Sequence, residues 1–273
     1  MPPSAEALEQ RRAELCAELG EEITLDGLSG HMSIFQRKHG HRHSTDDLLT
    51  AYYAVISSPE VLAHLDLGTG IGTVGLLVAQ CMPQDARLTC VEAQDISFRL
   101  LGENLWSTGL ASRVTALHQD LRSLALPERF PLITGSPPYF PPGTGIVPKD
   151  SQKAHARFEL RGDVSDYCRT ARAHLAPDGL FVFCFPWAQK ARAIAAAQEA
   201  GFRVACHQDV VPRQGLSPLF SLFACRLGPG PTAEDAPFIV RHENGQHTEQ
   251  MLDVQRRFGW PKALGLEPGS HAR

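Results

Sequence analysis

The chain has 273 residues, of which 43% are hydrophobic and 21% are charged, so it is long enough to bury one sizeable core and is not typical of a disordered protein. Its formal net charge of −4 argues against indiscriminate nucleic-acid binding but leaves room for a local basic face. Seven cysteines stand singly, the start lacks the pattern of a secretory signal, and no apolar run is long enough to span a bilayer. We therefore expect one globular unit with buried thiols, in the cytoplasm.

The first 60 residues predict a small N-terminal extension that packs on the core. Residues 4–19 predict a helix that ends at Gly20. Residues 23–29 predict a short hairpin that turns at Asp26 and Gly27. We expect this extension to span residues 1–60.

From residue 61 onward, strands alternate with helices, which is typical of a parallel sheet covered on both faces. The predicted strands are residues 61–67, 87–91, 114–118, 130–134, 179–185, 202–211 and 219–225. The helices between them are predicted at residues 72–81, 96–109, 164–175 and 188–200. A short loop joins the last two strands, which favours an antiparallel pair. The sequence thus predicts an α/β fold with a seven-stranded, mostly parallel sheet over residues 61–226.

The remaining residues, 227–273, are predicted to form a C-terminal tail that packs on the core. This tail contains a strand candidate at residues 238–242 and a turn at Asn244 and Gly245. A polar helix follows, which Thr248 is placed to cap.

A glycine-rich turn, DLGTGIG, closes the first of the alternating strands at residues 66–72. Glycine lets the backbone approach a ligand at the carboxyl edge of the sheet, where open α/β folds bind small molecules. Taken alone, the glycines also match a dinucleotide-binding pattern. However, the carboxylate of Asp66 opposes a pyrophosphate, whereas it tolerates a cationic sulfonium with an amino-acid end.

The DLGTGIG turn resembles the first motif of S-adenosylmethionine-dependent methyltransferases, which have a Rossmann-like class I fold. The resemblance implies that Glu92 pairs with the ribose hydroxyls of the cofactor and that Asp120 contacts its adenine. The turn residues that it assigns to the methionine part are Asp66, Gly68, Thr69, Gly70 and Gly72. The alternative interpretation is that the three carboxylates cap helices.

A second motif, GSPPYFPPGTG, follows the predicted strand at residues 130–134. Two prolines remove two backbone donors and fix φ twice, so the chain forms a stiff corner. The form resembles the [N/D/S]-P-P-[Y/F/W] corner of methyltransferases that act on a nitrogen conjugated to a π system. The resemblance implies that Ser136 and the Pro137 carbonyl accept the protons of the target amine, while Pro138 stiffens the backbone and Tyr139 stacks on the target ring. The alternative is a proline-rich turn with Tyr139 as surface cover.

Three further segments resemble those of bacterial tRNA adenine N6-methyltransferases: FQRKHGHRHSTDDLL from Phe35, ARFE from Ala156 and QHTE from Gln246. The resemblance spans most of residues 23–260 and adds Thr45 and Asp46 to the cofactor-binding residues. That group usually has Asn where this chain has Ser136. Methylation of cytosine N4, of a protein side chain such as glutamine N5 or of a small metabolite therefore stays open, as does a cofactor-binding subunit without catalysis.

Basic residues bracket the predicted site and favour RNA, in particular tRNA, as the partner. The substrate-binding residues that we expect are Arg37, Lys38, Arg42, Lys153 and Arg157, with Lys149 and Arg161 nearby. Three alternating histidines, His39, His41 and His43, lack Cys or carboxylate ligands nearby in sequence, so we expect no metal site. The sequence leaves the oligomeric state open.

Overall fold

An eight-stranded, mostly parallel sheet forms the centre of the protein in the computed structural model, which describes residues 2–58 and 60–260. In chain order, the strands of this sheet are β3 (Ala63–Leu67), β4 (Arg87–Glu92), β5 (Val114–His118), β6 (Phe130–Gly135), β7 (Leu175–Pro186), β8 (Arg203–Val211), β9 (Phe220–Arg226) and β10 (Ala233–Ile239). They lie in the order β10-β8-β9-β7-β6-β3-β4-β5. Only β9 runs antiparallel, to β7 on one side and β8 on the other. The predicted α/β fold class is confirmed.

Helices cover both faces of this sheet. The α-helices of the described residues are α1 (Ala5–Leu19), α2 (Thr45–Ser57), α3 (Thr73–Cys81), α4 (Asp95–Ser107), α5 (Ser151–Arg157), α6 (Val164–His174), α7 (Lys190–Glu199) and α8 (Glu249–Arg257). A separate hairpin consists of β1 (Ile23–Gly27) and β2 (Ser33–Arg37). None of the helices in the described ranges has the length and apolar character needed to cross a membrane.

Strand β7 shows why both faces are buried. Phe181, Phe183 and Phe185 point into one core layer, whereas Val182 and Cys184 belong to the layer on the opposite face. Successive side chains of a strand alternate between faces, so a strand covered on both sides is apolar throughout. Because β7 is covered on both faces, residues 180–185 are all hydrophobic.

The structure differs from the sequence prediction in four elements. The hairpin turns at residues 28–32, and Asp26 and Gly27 pair within the strand, so the predicted turn position is wrong. The sheet has one strand more than the seven predicted, because β10 pairs parallel with β8. This strand lies mostly before the predicted residues 238–242. Helices α2 and α5 were not predicted as helices.

The N-terminal extension and the tail both pack against the core. Arg11 of α1 forms an ion pair of 2.6 Å with Glu103 of α4, and the backbone N–H of Phe35 donates to Asn104 at 2.7 Å. Thr248 caps α8 as predicted, since its hydroxyl accepts from the Met251 N–H at 3.3 Å. The predicted tail is described as far as residue 260, and residues 261–273 lie outside the described residues. The division of the chain at residues 60 and 226 stays a prediction.

The stacked phenylalanines of β7 and β9 provide a test of how much this core layer contributes to stability. Phe183 is fully buried, with ring centroids 5.0 Å from Phe181 and 4.8 Å from Phe223. We expect Phe183→Ala to lower the free energy of unfolding by about 3–5 kcal/mol, because it removes buried contacts and leaves a cavity. Urea denaturation measures the change. Leu62→Ala, at an exposed position, serves as the control and should change stability by less than about 0.5 kcal/mol; equal losses in the two variants would contradict the assignment of this layer to the core.

Candidate active site

The glycine-rich turn between β3 and α3 requires glycine for a steric reason. Gly68, Gly70 and Gly72 have φ values of +59°, +60° and +98°, in the left-handed region that side chains other than glycine rarely adopt. At Gly68 a Cβ atom would also lie 2.0 Å from the hydroxyl oxygen of Tyr167. The turn therefore brings bare backbone to the carboxyl edge of the sheet, where a ligand can approach it.

Asp66 lies beneath this turn and holds it. Its carboxylate accepts hydrogen bonds from the Thr69 hydroxyl at 2.5 Å and the Gly75 N–H at 3.1 Å, and its second oxygen accepts from the Thr134 hydroxyl at 2.6 Å. The side chain is only 1% exposed, and burial raises its pKa to about 6. Asp66 does not line the adjoining cavity, so its carboxylate contacts the turn and not the space above it.

A first cavity, here called the cofactor cavity, opens above the turn. It is bounded by the turn residues from Gly68 to Ile71 and by Glu92 and Asp120, at the ends of the next two strands. The Glu92 carboxylate accepts from the Gly70 N–H at 2.8 Å and the Gln94 N–H at 2.7 Å, and burial raises its pKa. Because a carboxylate has about four acceptor positions, Glu92 retains acceptors for hydroxyl groups in the cavity.

Asp120 has a more polar environment. Its side chain pairs with Arg122 at 2.7 Å and accepts from the Arg122 N–H at 2.9 Å, and these bonds lower its pKa. The carboxylate thus caps the short turn that begins at Leu121 while it also lines the cofactor cavity.

A second cavity of about 700 Å³, here called the target cavity, lies beside the proline corner. Its wall includes Pro137, Tyr139 and Phe140 of the corner, together with Thr45 and Asp46 at the start of α2. The residues that line both cavities are His41, Arg42, Asp47, Ser136 and Ala156. Ser136 is therefore at the junction where a group bound in one cavity meets a group bound in the other.

Hydrogen bonds fix the proline corner on three sides. The Tyr139 hydroxyl donates to the Asp46 carboxylate at 2.5 Å and lies 3.2 Å from the Cys184 sulfur, which is also 3.5 Å from the Ser136 hydroxyl. The backbone carbonyl of Tyr139 accepts from the Gln189 amide at 2.7 Å. Burial raises the pKa of Cys184 to about 12, so this thiol stays protonated around neutral pH.

The predicted basic residues divide into two groups. Arg42, Lys153 and Arg157 line the target cavity. By contrast, Arg37 pairs with Glu21 at 2.7 Å and Asp150 at 2.8 Å, and Lys38 pairs with Glu22 at 2.8 Å; these two line neither cavity. Thr45 and Asp46, expected at the cofactor, line the target cavity instead of the cofactor cavity.

Gln152 is a site residue that the sequence did not indicate. It is 2% exposed, donates to the Ser97 hydroxyl at 3.1 Å and accepts from the His41 N–H at 3.1 Å and the Arg37 guanidinium at 3.2 Å. A Cβ atom on Gly40 would lie 2.2 Å from the accepting oxygen of Gln152. Gly40 therefore lets the N-terminal segment and α5 lie close together beside the cofactor cavity.

Asp47 is a second site residue that the sequence did not indicate. It is 9% exposed and accepts from the Ser44 N–H at 3.2 Å as part of the cap of α2. Burial and the neighbouring carboxylates of Asp46 and Asp66 raise its pKa well above the ordinary value of an aspartate. A cation bound beside Asp47 would lower this raised pKa and favour the ionised carboxylate.

Known proteins resemble this chain over most of its length, although no family model matches it. It is 30% identical over 217 residues to the tRNA1(Val) (adenine(37)-N6)-methyltransferase of Pectobacterium carotovorum, with 78% of this chain and 85% of that relative covered. It is 28% identical over 216 residues to the protein of the same name from Mannheimia succiniciproducens, with 78% and 86% covered. The chain belongs to the tRNA1(Val) (adenine(37)-N6)-methyltransferase family.

Solved structures show the same fold. A "predicted O-methyltransferase" from Agrobacterium tumefaciens has a TM-score of 0.62 at 20% identity, with 78% of this chain and 96% of that chain covered. A SAM-dependent O-methyltransferase from Thermotoga maritima has a TM-score of 0.50 at 16% identity, with 71% and 69% covered. The predictions of a Rossmann-like class I methyltransferase fold and of an S-adenosylmethionine-dependent methyltransferase are confirmed. The roles of the individual site residues stay predictions.

Gly68 provides a steric test of the turn. We expect Gly68→Ala to weaken S-adenosylmethionine binding by about tenfold or more, because the new methyl group meets Tyr167 and the left-handed φ is strained. Isothermal titration calorimetry measures the affinity. Gly102→Ala is the matched control, since nothing lies within 4 Å of the added Cβ in α4. If Gly68→Ala binds the cofactor as tightly as Gly102→Ala, the turn does not hold the cofactor as described.

The raised pKa of Asp47 implies that the stability of the protein depends on pH. Its raised pKa means that the folded protein keeps a proton that the unfolded chain has already lost, so stability falls as pH rises between the two pKa values. Asn at this position has no such proton. We therefore expect the free energy of unfolding of Asp47→Asn, relative to the wild type, to rise by about 1–2 kcal/mol from about pH 5 to about pH 9. Urea denaturation across this pH range measures the free energy of unfolding, with Asp178→Asn, at an exposed position, as the control. If the free energies of Asp47→Asn and wild type change in parallel with pH, the pKa of Asp47 is not raised.

Proposed function

We propose that the enzyme transfers a methyl group from S-adenosylmethionine to the N6 amine of an adenine in tRNA, and that this tRNA is the valine tRNA named for its relatives. The observation that carries the proposal is the position of Ser136, which lines both the cofactor cavity and the target cavity. A hydroxyl at this junction is within reach of a nitrogen that accepts a methyl group from the neighbouring cavity.

The residues around the cofactor cavity fit S-adenosylmethionine. Glu92 offers carboxylate acceptors for two ribose hydroxyls, and the bare backbone from Gly68 to Gly70 admits the methionine part. A ligand with an ammonium and a sulfonium group would lower the raised pKa of Asp47 and so favour its ionised form. When bound there, the cofactor supplies an electrophilic methyl group.

The proline corner supplies what a weakly nucleophilic amine needs. The lone pair of an exocyclic amine is delocalised into the ring, so the nitrogen becomes a better nucleophile when acceptors draw its protons out of the ring plane. The Ser136 hydroxyl accepts one such N–H bond and the Pro137 carbonyl the other, and the rigid corner holds both in place. The bond from the Tyr139 hydroxyl to Asp46 restricts the corner further, as does the bond that the Gln189 amide donates to the Tyr139 carbonyl. The alkylated nitrogen then loses its proton readily, without a strong general base.

Charge in the target cavity supports RNA as the substrate. Lys153 and Arg157 line it, and within the part of the chain that the structure describes neither forms a salt bridge with a carboxylate. The guanidinium of Arg157 lies 5.6 Å from the centroid of the Phe140 ring. Free cations beside an apolar, aromatic wall fit a nucleotide, which combines an anionic phosphate with a flat base. Because the net charge of −4 disfavours RNA binding over the rest of the protein, we expect RNA to bind at this local surface.

Ser136 is the decisive residue for catalysis. We expect Ser136→Ala to lower kcat by about a hundredfold, the usual order for one lost transition-state hydrogen bond, while the affinity for S-adenosylmethionine stays unchanged. Ser136→Asn should retain activity, because its amide oxygen also accepts an N–H bond. Single-turnover methylation of valine tRNA and cofactor titration measure the two effects. Ser112→Ala, on an exposed serine that lines neither cavity, is the control; full activity of Ser136→Ala would contradict the role of the hydroxyl.

The substrate class is tested with methyl-labelled S-adenosylmethionine and separate pools of unmodified tRNA, ribosomal RNA, DNA and protein. We expect label in tRNA, and mass spectrometry of the digested tRNA should identify N6-methyladenosine. Label as N4-methylcytosine, or label in protein or small molecules alone, would overturn the assignment to adenine in tRNA. Both outcomes would leave the cofactor and the fold as described.

A further inference from the structure

An exposed apolar surface adjoins the target cavity at the end away from the cofactor. Trp187 and Leu219 are 40% and 64% exposed, and we call these two residues the Trp187 shelf. Leu219 also lines the target cavity, as do Pro186 and Phe220, the chain neighbours of Trp187 and Leu219. The shelf is therefore continuous with the wall that the proposed target base would meet.

Hydrogen bonds hold the indole of Trp187 rigidly. The Trp187 backbone N–H donates to the Leu219 carbonyl at 3.1 Å, and the indole N–H donates to the Asp209 carboxylate at 3.0 Å. Lys190 pairs with the same carboxylate at 2.9 Å, so no uncompensated negative charge is left beside the ring. Gln189, in the same turn as Trp187, donates to the Tyr139 carbonyl of the proline corner. The indole thus has a fixed position relative to the corner.

The target cavity is larger than a single nucleobase requires. Its volume of about 700 Å³ is typical of a site for a drug-sized ligand, which is larger than a single nucleobase. Lys153 and Arg157 supply charge complementary to phosphate groups on the same wall. Space, charge and an exposed aromatic ring together fit more than one nucleotide of a single strand.

We propose that the Trp187 shelf binds the nucleotide next to the target adenosine, with its base stacked on the indole. This inference rests on the proposed function, because a target base that leaves the stack for the target cavity deprives its neighbour of a stacking partner. A rigid aromatic ring replaces that partner at little cost in entropy. The shelf binds any base by its flat face, so it contributes affinity and orientation and leaves the choice of target to the corner.

The test uses the full-length enzyme and an unmodified transcript of the valine tRNA anticodon stem-loop. We expect Trp187→Ala to weaken RNA binding and raise the KM for the stem-loop by about tenfold, the usual order for one lost stacking contact, with S-adenosylmethionine affinity unchanged. Trp187→Phe should restore most of the affinity, because it keeps an aromatic face. Trp106→Ala is the matched control, since Trp106 is 41% exposed and lines neither cavity.

A spectroscopic readout tests stacking directly. In the Trp106→Phe, Trp260→Phe background, Trp187 is the one tryptophan left of the three in the chain. We expect the stem-loop to quench its fluorescence, and a loop without a base at the flanking position to quench it less. Equal RNA binding by Trp187→Ala and Trp106→Ala, or no quenching, would overturn the shelf while methylation of tRNA continues. If the enzyme methylates no RNA, the proposed function itself fails, and a Trp187 effect confined to a protein substrate would overturn the RNA shelf as well.

Discussion

The carboxylate of Asp66 joins the two halves of the active site. One oxygen holds the glycine-rich turn through Thr69 and Gly75, and the other accepts from Thr134, two residues before Ser136. The turn that faces the cofactor cavity and the strand that carries the proline corner are thus fixed to one buried group. Since this group is 1% exposed, its three hydrogen bonds compensate for the cost of burying a carboxylate.

The second constraint is the closure of both cavities by segments that are far apart in the chain. Residues 40–47 and helix α5 meet through Gln152, and the close contact is possible because residue 40 is glycine. On the other side, Tyr139 is held by Asp46 and Gln189. The catalytic corner is therefore supported by the N-terminal segment, by the core strand β7 through Cys184 and by the turn that carries Trp187.

The sequence predicted the parts of the fold that rest on local pattern. The alternation of strands and helices and the two motifs at strand ends follow from hydrophobic periodicity and from Gly and Pro geometry. Strand β10 escaped prediction because all but its last two residues are exposed, which removes the apolar signal. The Asp26-Gly27 pair is a strong turn signal, but the chain turns at residues 28–32, where tertiary packing decides the register.

In the candidate site, contacts between residues far apart in the chain could not be predicted from the sequence. Motifs identify Ser136 and Glu92, but Gln152 carries no local signal, because its partners lie elsewhere in the chain. Asp47 bonds to the nearby Ser44, and what the local sequence does not show is its burial. The ion pairs of Arg37 and Lys38 illustrate the same limit, since a basic residue near a motif is as easily neutralised by Glu21 or Glu22 as directed to a substrate. Trp187 stood out only once the structure showed its exposed ring beside the target cavity.

Removal of the exocyclic amine from the target base tests whether the proline corner presents that amine to the cofactor. Two valine tRNA transcripts are compared, one with adenine at position 37, the position in the name of the relatives, and one with unsubstituted purine there, which lacks the exocyclic amine. Site-resolved mass spectrometry after a single turnover measures the methyl group. We expect methylation of the adenine transcript at N6 and none at the purine. Equal methylation of the two transcripts would contradict the role of the proline corner.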